Sequence, residues 1–238
     1  NKSLESTEFI EKMKEFKDFS IEIRYPDKYF KDIYDSILNT KKSLPEENVL
    51  EIIIFISGLQ ETDQMFYCNT NVNYVRFDSS IIKIKSYKED KNTRGTFDGC
   101  SSLKSVLIPP SVTFLGEYTF YRCYSLTEII IPSSITSIRN NTFGYCSKMT
   151  HLHIPSSITM IEDNAFMGCS SLKEITIPSS VTFIGSRAFE NCSSLTQLII
   201  PPSINLIQNS TFSGCILLTQ ITIPSKVTSI GEWSFYRC

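Results

Sequence analysis

The groups in this chain that could do chemistry are few and regularly placed. Seven of its eight cysteines, Cys100, Cys123, Cys146, Cys169, Cys192, Cys215 and Cys238, follow one another at intervals of 23 residues. Thiols can cross-link, ligate a metal or act as nucleophiles. No C-x-x-C occurs, so a metal reading lacks its usual spacing. The only two histidines, His151 and His153, stand two residues apart, and Glu128 and Glu174 lie 23 residues to either side of His151. Two imidazoles and two carboxylates could hold a divalent cation. The plainer alternatives are cross-strand charge pairing, or a contact that responds to pH because histidine changes charge near neutrality. There is no Gly-rich phosphate loop, no G-x-S-x-G and no H-E-x-x-H. The chain is therefore read as non-enzymatic, with no cofactor and no metal. A metal-dependent enzyme built on His151 and His153 is the least supported alternative.

The elements that must position these groups follow from the same period. Phe97, Phe120, Phe143, Phe166, Phe189, Phe212 and Phe235 keep the 23-residue step, as do Pro109, Pro132, Pro155, Pro178, Pro201 and Pro224. The unit reads F-x-x-C-x-x-L-x-x-I-x-I-P-x-S-V/I-x-x-I. In "LTEIIIP" (126–132), Leu126, Ile129 and Ile131 point inward as a pleated strand requires, and Pro132, lacking an N–H, ends the strand. Ile135 and Ile138 bring a second extended segment back to the core. "NNTFGYC" (140–146) then makes a tight turn or short 3₁₀ segment, with Phe143 and Cys146 plugging the third side. One coil cannot bury these residues alone, whereas stacked coils share a core and pair their strands in parallel. The expected fold is an α/β repeat solenoid, a right-handed coil stack with a parallel sheet. The thiols Cys100, Cys123, Cys146, Cys169, Cys192 and Cys215 should form a buried ladder beside Phe97, Phe120, Phe143, Phe166, Phe189 and Phe212. Stacked side chains point in parallel rather than toward one another, so free thiols are expected.

The start of the chain is less regular. Val72, Val75, Phe77, Ile81 and Ile84 fit the unit, but the next phenylalanine comes eight residues late, placing an insert at 85–95. "LEIIIF" (50–55) reads as the strand of a still earlier coil. Of the first 48 residues 20 are charged, against 16 of the 142 from Phe97 onward. Phe9, Met13 and Phe16, then Phe30, Ile33 and Ile37, recur at helical spacing. Two amphipathic helices joined around "SIEIRYP" (20–26) are expected to cap the open end. The expected divisions are a cap at 1–48, degenerate coils at 49–96 and the regular array at 97–238. No equivalent cap is visible after the last coil, so a second copy stacking there is the simplest cover.

The totals exclude several classes. Net charge is −2, which argues against nucleic acid or an acidic membrane as a default partner, since both reward a basic face. No apolar run reaches the ~18 residues of a membrane span.

The unit "AFMGCSSLKEITIPSSVTFIG" (165–185) resembles the BspA-type leucine-rich repeat, a 23-residue class found in bacterial surface proteins and in protists. The Ile-Pro-Ser-Ser wording resembles the protist members. The resemblance implies a curved solenoid that binds by surface rather than by catalysis, some members being adhesins. Residues 1–48 lie outside it.

A partner protein would then meet the solvent side of the sheet. The outward positions chosen for that surface are Lys104, Leu107, Glu128, Ile130, His151, His153, Lys173, Glu174, Gln197, Ile199 and Gln220. A second stripe, Phe114, Met160, Phe183 and Leu206, is expected to be partly buried between coils. Lys85, Lys88, Lys91 and Arg94 make the insert a candidate basic loop. Self-association through the last coil is the alternative use. Unpaired thiols favour a reducing cytoplasm. The resemblance favours the cell surface, and Asn140, Asn191 and Asn209 stand in N-x-S/T sequons, with burial expected to blunt Asn191.

Overall fold

The computed structural model describes residues 19–24, 52–57, 62, 66–70, 72–77, 79–89 and 92–238. Its strands, in chain order, are β1 (Phe19–Arg24), β2 (Ile52–Ser57), β3 (Val72–Phe77), β4 (Lys83–Ile84), β5 (Ser86–Glu89), β6 (Asn92–Gly95), β7 (Ser105–Leu107) and β8 (Phe114–Leu115). They continue as β9 (Ser137–Ile138), β10 (His151–His153), β11 (Met160–Ile161), β12 (Glu174–Thr176), β13 (Phe183–Ile184), β14 (Gln197–Ile199), β15 (Leu206–Ile207), β16 (Gln220–Thr222) and β17 (Ser229–Ile230).

Each regular coil has three sides. The first carries the longer strands, paired in parallel as β1-β2-β3-β7, β10-β12 and β14-β16. The second carries the two-residue strands, paired as β4-β8, β9-β11-β13 and β15-β17. The third side is a run of turns. Strand register equals the sequence period: His151 faces Glu174, Gln197 faces Gln220 and Met160 faces Phe183. Where the insert intervenes, the offset grows by its eight residues, and Tyr74 faces Ser105 while Lys83 faces Phe114.

The core runs through the middle of the stack. Phe66, Phe97, Phe120, Phe143, Phe166, Phe189, Phe212 and Phe235 form one column of near-parallel rings, with centroids 5.1–5.8 Å apart. Spacing of that kind is the offset-stacked geometry that aromatic quadrupoles favour. Beside it runs the thiol column. Each Sγ donates to the carbonyl oxygen of the phenylalanine one coil earlier, from Cys100 to Phe66 through Cys238 to Phe212, at 2.9–3.3 Å. The cysteines are all free thiols. Phe66 is a rung that the sequence pattern hides, because Asn69 occupies the slot that later coils give to cysteine.

The Ile-Pro-x-Ser segment is explained by a third column. Past five of the six prolines, from Pro109 to Pro201, the serine two residues on donates to a carbonyl of the preceding coil, as from Ser157 to Ile135 (2.6 Å) and Ser180 to Ile158 (2.7 Å), whereas Lys226 takes that slot after Pro224. A buried carbonyl without such a donor would cost stability.

Three expectations need correction. "SIEIRYP" does not link two helices: Phe19–Arg24 is a strand, parallel to β2 and in register with it from Phe19↔Ile52 to Arg24↔Ser57. Phe19, Ile21 and Ile23 alternate with Ser20, Glu22 and Arg24, a period of two that suits a sheet. The described residues hold no helix, so the helical cap has no support, and the two expected helices lie outside the described residues. Of the tight turn or short 3₁₀ segment expected on the third side, the structure has the tight turn. Two positions per coil have positive φ, such as Asn141 (54°) and Tyr145 (60°), which interrupts any helix. Finally, "LTEIIIP" makes no strand at 127–131, although Ile129 and Ile131 stay buried.

The insert at 85–95 is an antiparallel hairpin, β5 with β6. It lies against the next coil: a Cβ on Gly95 would meet the Tyr118 carbonyl oxygen at 2.0 Å, and one on Gly116 the Ser86 nitrogen at 2.3 Å. Among the described residues no helix is long and apolar enough to cross a membrane.

Candidate binding surfaces

Strand alternation fixes which side chains the first side offers. In β10, β12 and β14 the middle residue is buried and its neighbours are exposed. His151, His153, Glu174, Gln197 and Ile199 therefore share one outer face, joined by Gln220 from β16, Lys173 ahead of β12 and Leu107 from β7. Glu128 and Ile130 also face solvent, but from the unpaired segment 127–131. Lys104 is half-buried, its ammonium 5.8 Å from the Tyr74 ring.

Ile130 and Ile199 are each 74% exposed, and Leu107 is 47% exposed. Burying such side chains against a partner is worth roughly 1.5–3 kcal/mol each before association costs. His151 Nε2 lies 3.5 Å from Glu174 Oε1, both side chains being largely exposed. An exposed pair of this kind contributes little on its own. His151 Nδ1 is 3.0 Å from Thr150 Oγ1. Among the described residues no three His, Cys, Asp or Glu side chains gather as a metal centre requires.

The second side is mixed. Phe114 and Phe183 are half-buried, whereas Met160 and Leu206 are exposed. Phe114 receives the Arg139 guanidinium 4.9 Å from its ring centre, and Arg139 Nε is 3.8 Å from Glu162. In the insert, the Lys85 amide donates to Thr62 Oγ1 and the Lys85 carbonyl accepts from Thr96 Oγ1. Arg94 lies 4.5 Å over the Tyr67 ring. The side chains of Lys88 and Lys91 lie outside the described residues.

The turn side had no place among the expected surfaces, yet among the described residues it exposes Arg122, Arg187, Trp233, Tyr236 and Arg237, with Tyr118 and Tyr121 half-buried. Tyr118, Tyr121 and Arg122 cluster at one level, and Trp233, Tyr236 and Arg237 at another. The signal was legible: "EYTFYRC" (117–123) recurs as "EWSFYRC" (232–238), five periods on. Asn191, expected to be buried, is exposed here at φ 58°. A groove of about 430 Å³ lies beside it, lined by Arg187, Glu190, Asn191, Trp233, Tyr236 and Arg237 among others.

The six buried thiols are unsuited to nucleophilic chemistry. Burial pushes the Cys169 and Cys215 thiols to about 12 and holds Cys123, Cys146 and Cys192 well above the usual range. Asp98, half-buried on the turn side, is raised to about 6 by desolvation, partly offset by Arg122 and Arg94.

A family model for the BspA type leucine rich repeat region matches residues 63–196 and 137–238, in six copies. No curated protein matches the chain. Among solved structures, the leucine rich repeat protein of T. pallidum is 29% identical, with 66% of this chain and 72% of that one covered at a TM-score of 0.60. A leucine-rich repeat protein from Eubacterium ventriosum is 19% identical, covering 79% of this chain and 59% of that one at a TM-score of 0.51. One from Bacteroides ovatus is 22% identical, covering 78% and 64% at a TM-score of 0.49. With the 23-residue register, the three-sided coil and a family match over most of its length, the chain belongs to the BspA type leucine rich repeat family, whose members typically serve protein interaction or adhesion.

Proposed function

We propose that the chain is a non-enzymatic recognition module that holds a partner protein against the outer face of its first side. The observation that carries this reading is the pair of isoleucines, Ile130 and Ile199, 74% exposed in slots that alternation directs outward. Leu107 extends the apolar material, and Lys104, Lys173, Glu174, His151, His153, Gln197 and Gln220 supply the polar setting. A protein contact of ordinary size needs such an apolar centre with polar groups around it. The partner would be sought by affinity capture with intact protein and with Ile130→Asp/Ile199→Asp. A protein held by the first and lost from the second supports the reading, and one held equally by both defeats it. Charge reversal at Glu128 and Glu174 to lysine should weaken the same partner.

A further inference from the structure

Two levels of the turn side carry the same constellation. In the first, the Tyr118 and Tyr121 rings meet edge to face with centroids 5.2 Å apart, and the Arg122 guanidinium lies 5.0 Å over Tyr121. In the second, Trp233 and Tyr236 meet at 4.9 Å, and Arg237 lies 5.5 Å over Tyr236. The threonine or serine, phenylalanine and cysteine of "EYTFYRC" and "EWSFYRC" have structural employment. Thr119 and Ser234 donate to the carbonyls of Gly116 and Gly231, the phenylalanines stack and the thiols bond. The aromatic pair and the arginine do not enter the core.

Backbone conformation gives a second, independent sign. From Tyr118 onward the slots of Tyr118 and Arg122 have positive φ in every coil, a conformation that glycine and asparagine adopt most readily. Asn141, Asn164, Gly168, Asn191 and Gly214 follow that preference. The bulky exceptions from Tyr118 onward are Tyr118, Arg122, Tyr145, Arg187, Trp233 and Arg237. Four of the six lie in the two levels and the other two adjoin them: Tyr145, one coil on, meets Tyr121 at 5.6 Å, and Arg187, two coils before Trp233, lines the groove with it. Large side chains held against backbone preference, with Arg122, Arg187, Trp233 and Arg237 exposed and Tyr118 and Tyr145 half-buried, mark positions kept for contact. The rings are also seated. A Cβ on Gly144 would strike Tyr121 at 2.8 Å, and one on Gly168 would strike Tyr145 at 2.6 Å.

We infer that the turn side binds a neutral polysaccharide, with the two constellations as equivalent sugar subsites. Tyr and Trp rings offer an apolar face to the C–H side of a pyranose and a polar edge to its hydroxyls. Planar groups for further hydroxyl hydrogen bonds stand beside Trp233 in Arg187, Glu190 and Asn191. A groove of about 430 Å³ falls in the size range of small-ligand sites. Charge favours a neutral ligand: Arg187 Nε lies 3.8 Å from Glu190, Arg122 interacts with the Asp98 carboxyl, and Glu232 offsets Arg237 in number within the same coil. Two like sites on one rigid stack, on the order of 25 Å apart at the spacing of parallel strands, suit a polymer that repeats its own unit. Simultaneous engagement would raise apparent affinity well above that of one subsite.

The chain's single tryptophan is Trp233, so its fluorescence reports the second subsite directly. The probes are laminarin, xylan and soluble chitin oligomers, each beside its own disaccharide. At least one long probe should shift Trp233 emission and retard the protein in an affinity gel. Trp233→Ala, Trp233→Ala/Tyr236→Ala and Tyr118→Ala/Tyr121→Ala should each weaken retardation at least about tenfold. Their circular dichroism melts show that they remain folded. Ile130→Asp/Ile199→Asp should bind sugar as the unaltered chain does, which separates this inference from the protein-binding reading. Silence with every probe overturns it, as does retardation that survives Trp233→Ala/Tyr236→Ala. Loss of a captured protein from that variant, with no response to sugar, assigns the constellation to a protein contact and overturns it equally.

Discussion

The Cys146 thiol donates to the Phe120 carbonyl at 3.2 Å, and its counterparts do the same at every level. Alanine would fill most of the space but leave that buried carbonyl without its donor. Cys146→Ala is expected to lower stability by about 1–3 kcal/mol, measurable by denaturant unfolding. Reactivity should follow the same burial. Native protein should expose only Cys68 and Cys238 to a thiol reagent, and denatured protein all eight. Asp98 supplies a pH prediction. Its folded pKa is raised to about 6 from an ordinary 3.8, so the folded state holds the proton more tightly than the unfolded state. Between those values stability falls as pH rises. Asp98→Asn should therefore raise the melting temperature at pH 7 and make little difference near pH 3. The slots of these residues were legible, because a phenylalanine and a thiol at fixed spacing announce an inward position. The S–H bond was not legible, since its acceptor lies in the preceding coil.

At the level of the coil, glycine marks where neighbours come closest. A Cβ on Gly185 would lie 2.4 Å from Asp163 Oδ1 and 2.6 Å from the Asp163 nitrogen. Asp163 is held there because its Oδ1 accepts from the Ser186 amide at 2.8 Å. Gly185→Ala must push two coils apart or break that bond, and should cost about 1–3 kcal/mol in stability. Gly231 meets Asn209 in the same way. Alternation of buried and exposed residues was readable in the first-side strands. It survives even at 127–131, where the strand itself does not form, because burial of Ile129 and Ile131 does not depend on ladder bonds. The Phe19–Arg24 strand was misread because charge and helical spacing on either side outweighed six alternating residues.

Across the whole molecule, each regular coil depends on its immediate neighbours, which makes stability roughly one-dimensional. The coil at 216–238 has its inward slots half open, so its amides should show the lowest hydrogen-exchange protection of the regular array. Protection there equal to the middle coils would mean that something covers it. The two proposed contact faces lie on different sides of the same stack. Substitutions on one should leave binding at the other unchanged, provided both variants keep the melting temperature of the parent.

By itself the sequence determined the repeat, its length, its inward slots and the parallel pairing, because identical short-range patterns stacked in register have one economical way to bury their apolar residues. Only the tertiary structure decided that Phe19–Arg24 joins the sheet, that the insert is a hairpin laid on the next coil, and that the turn side projects tyrosine, tryptophan and arginine from left-handed backbone. Each of these depends on contacts between residues far apart in the chain, or on a sign of φ that side-chain hydrophobicity does not encode.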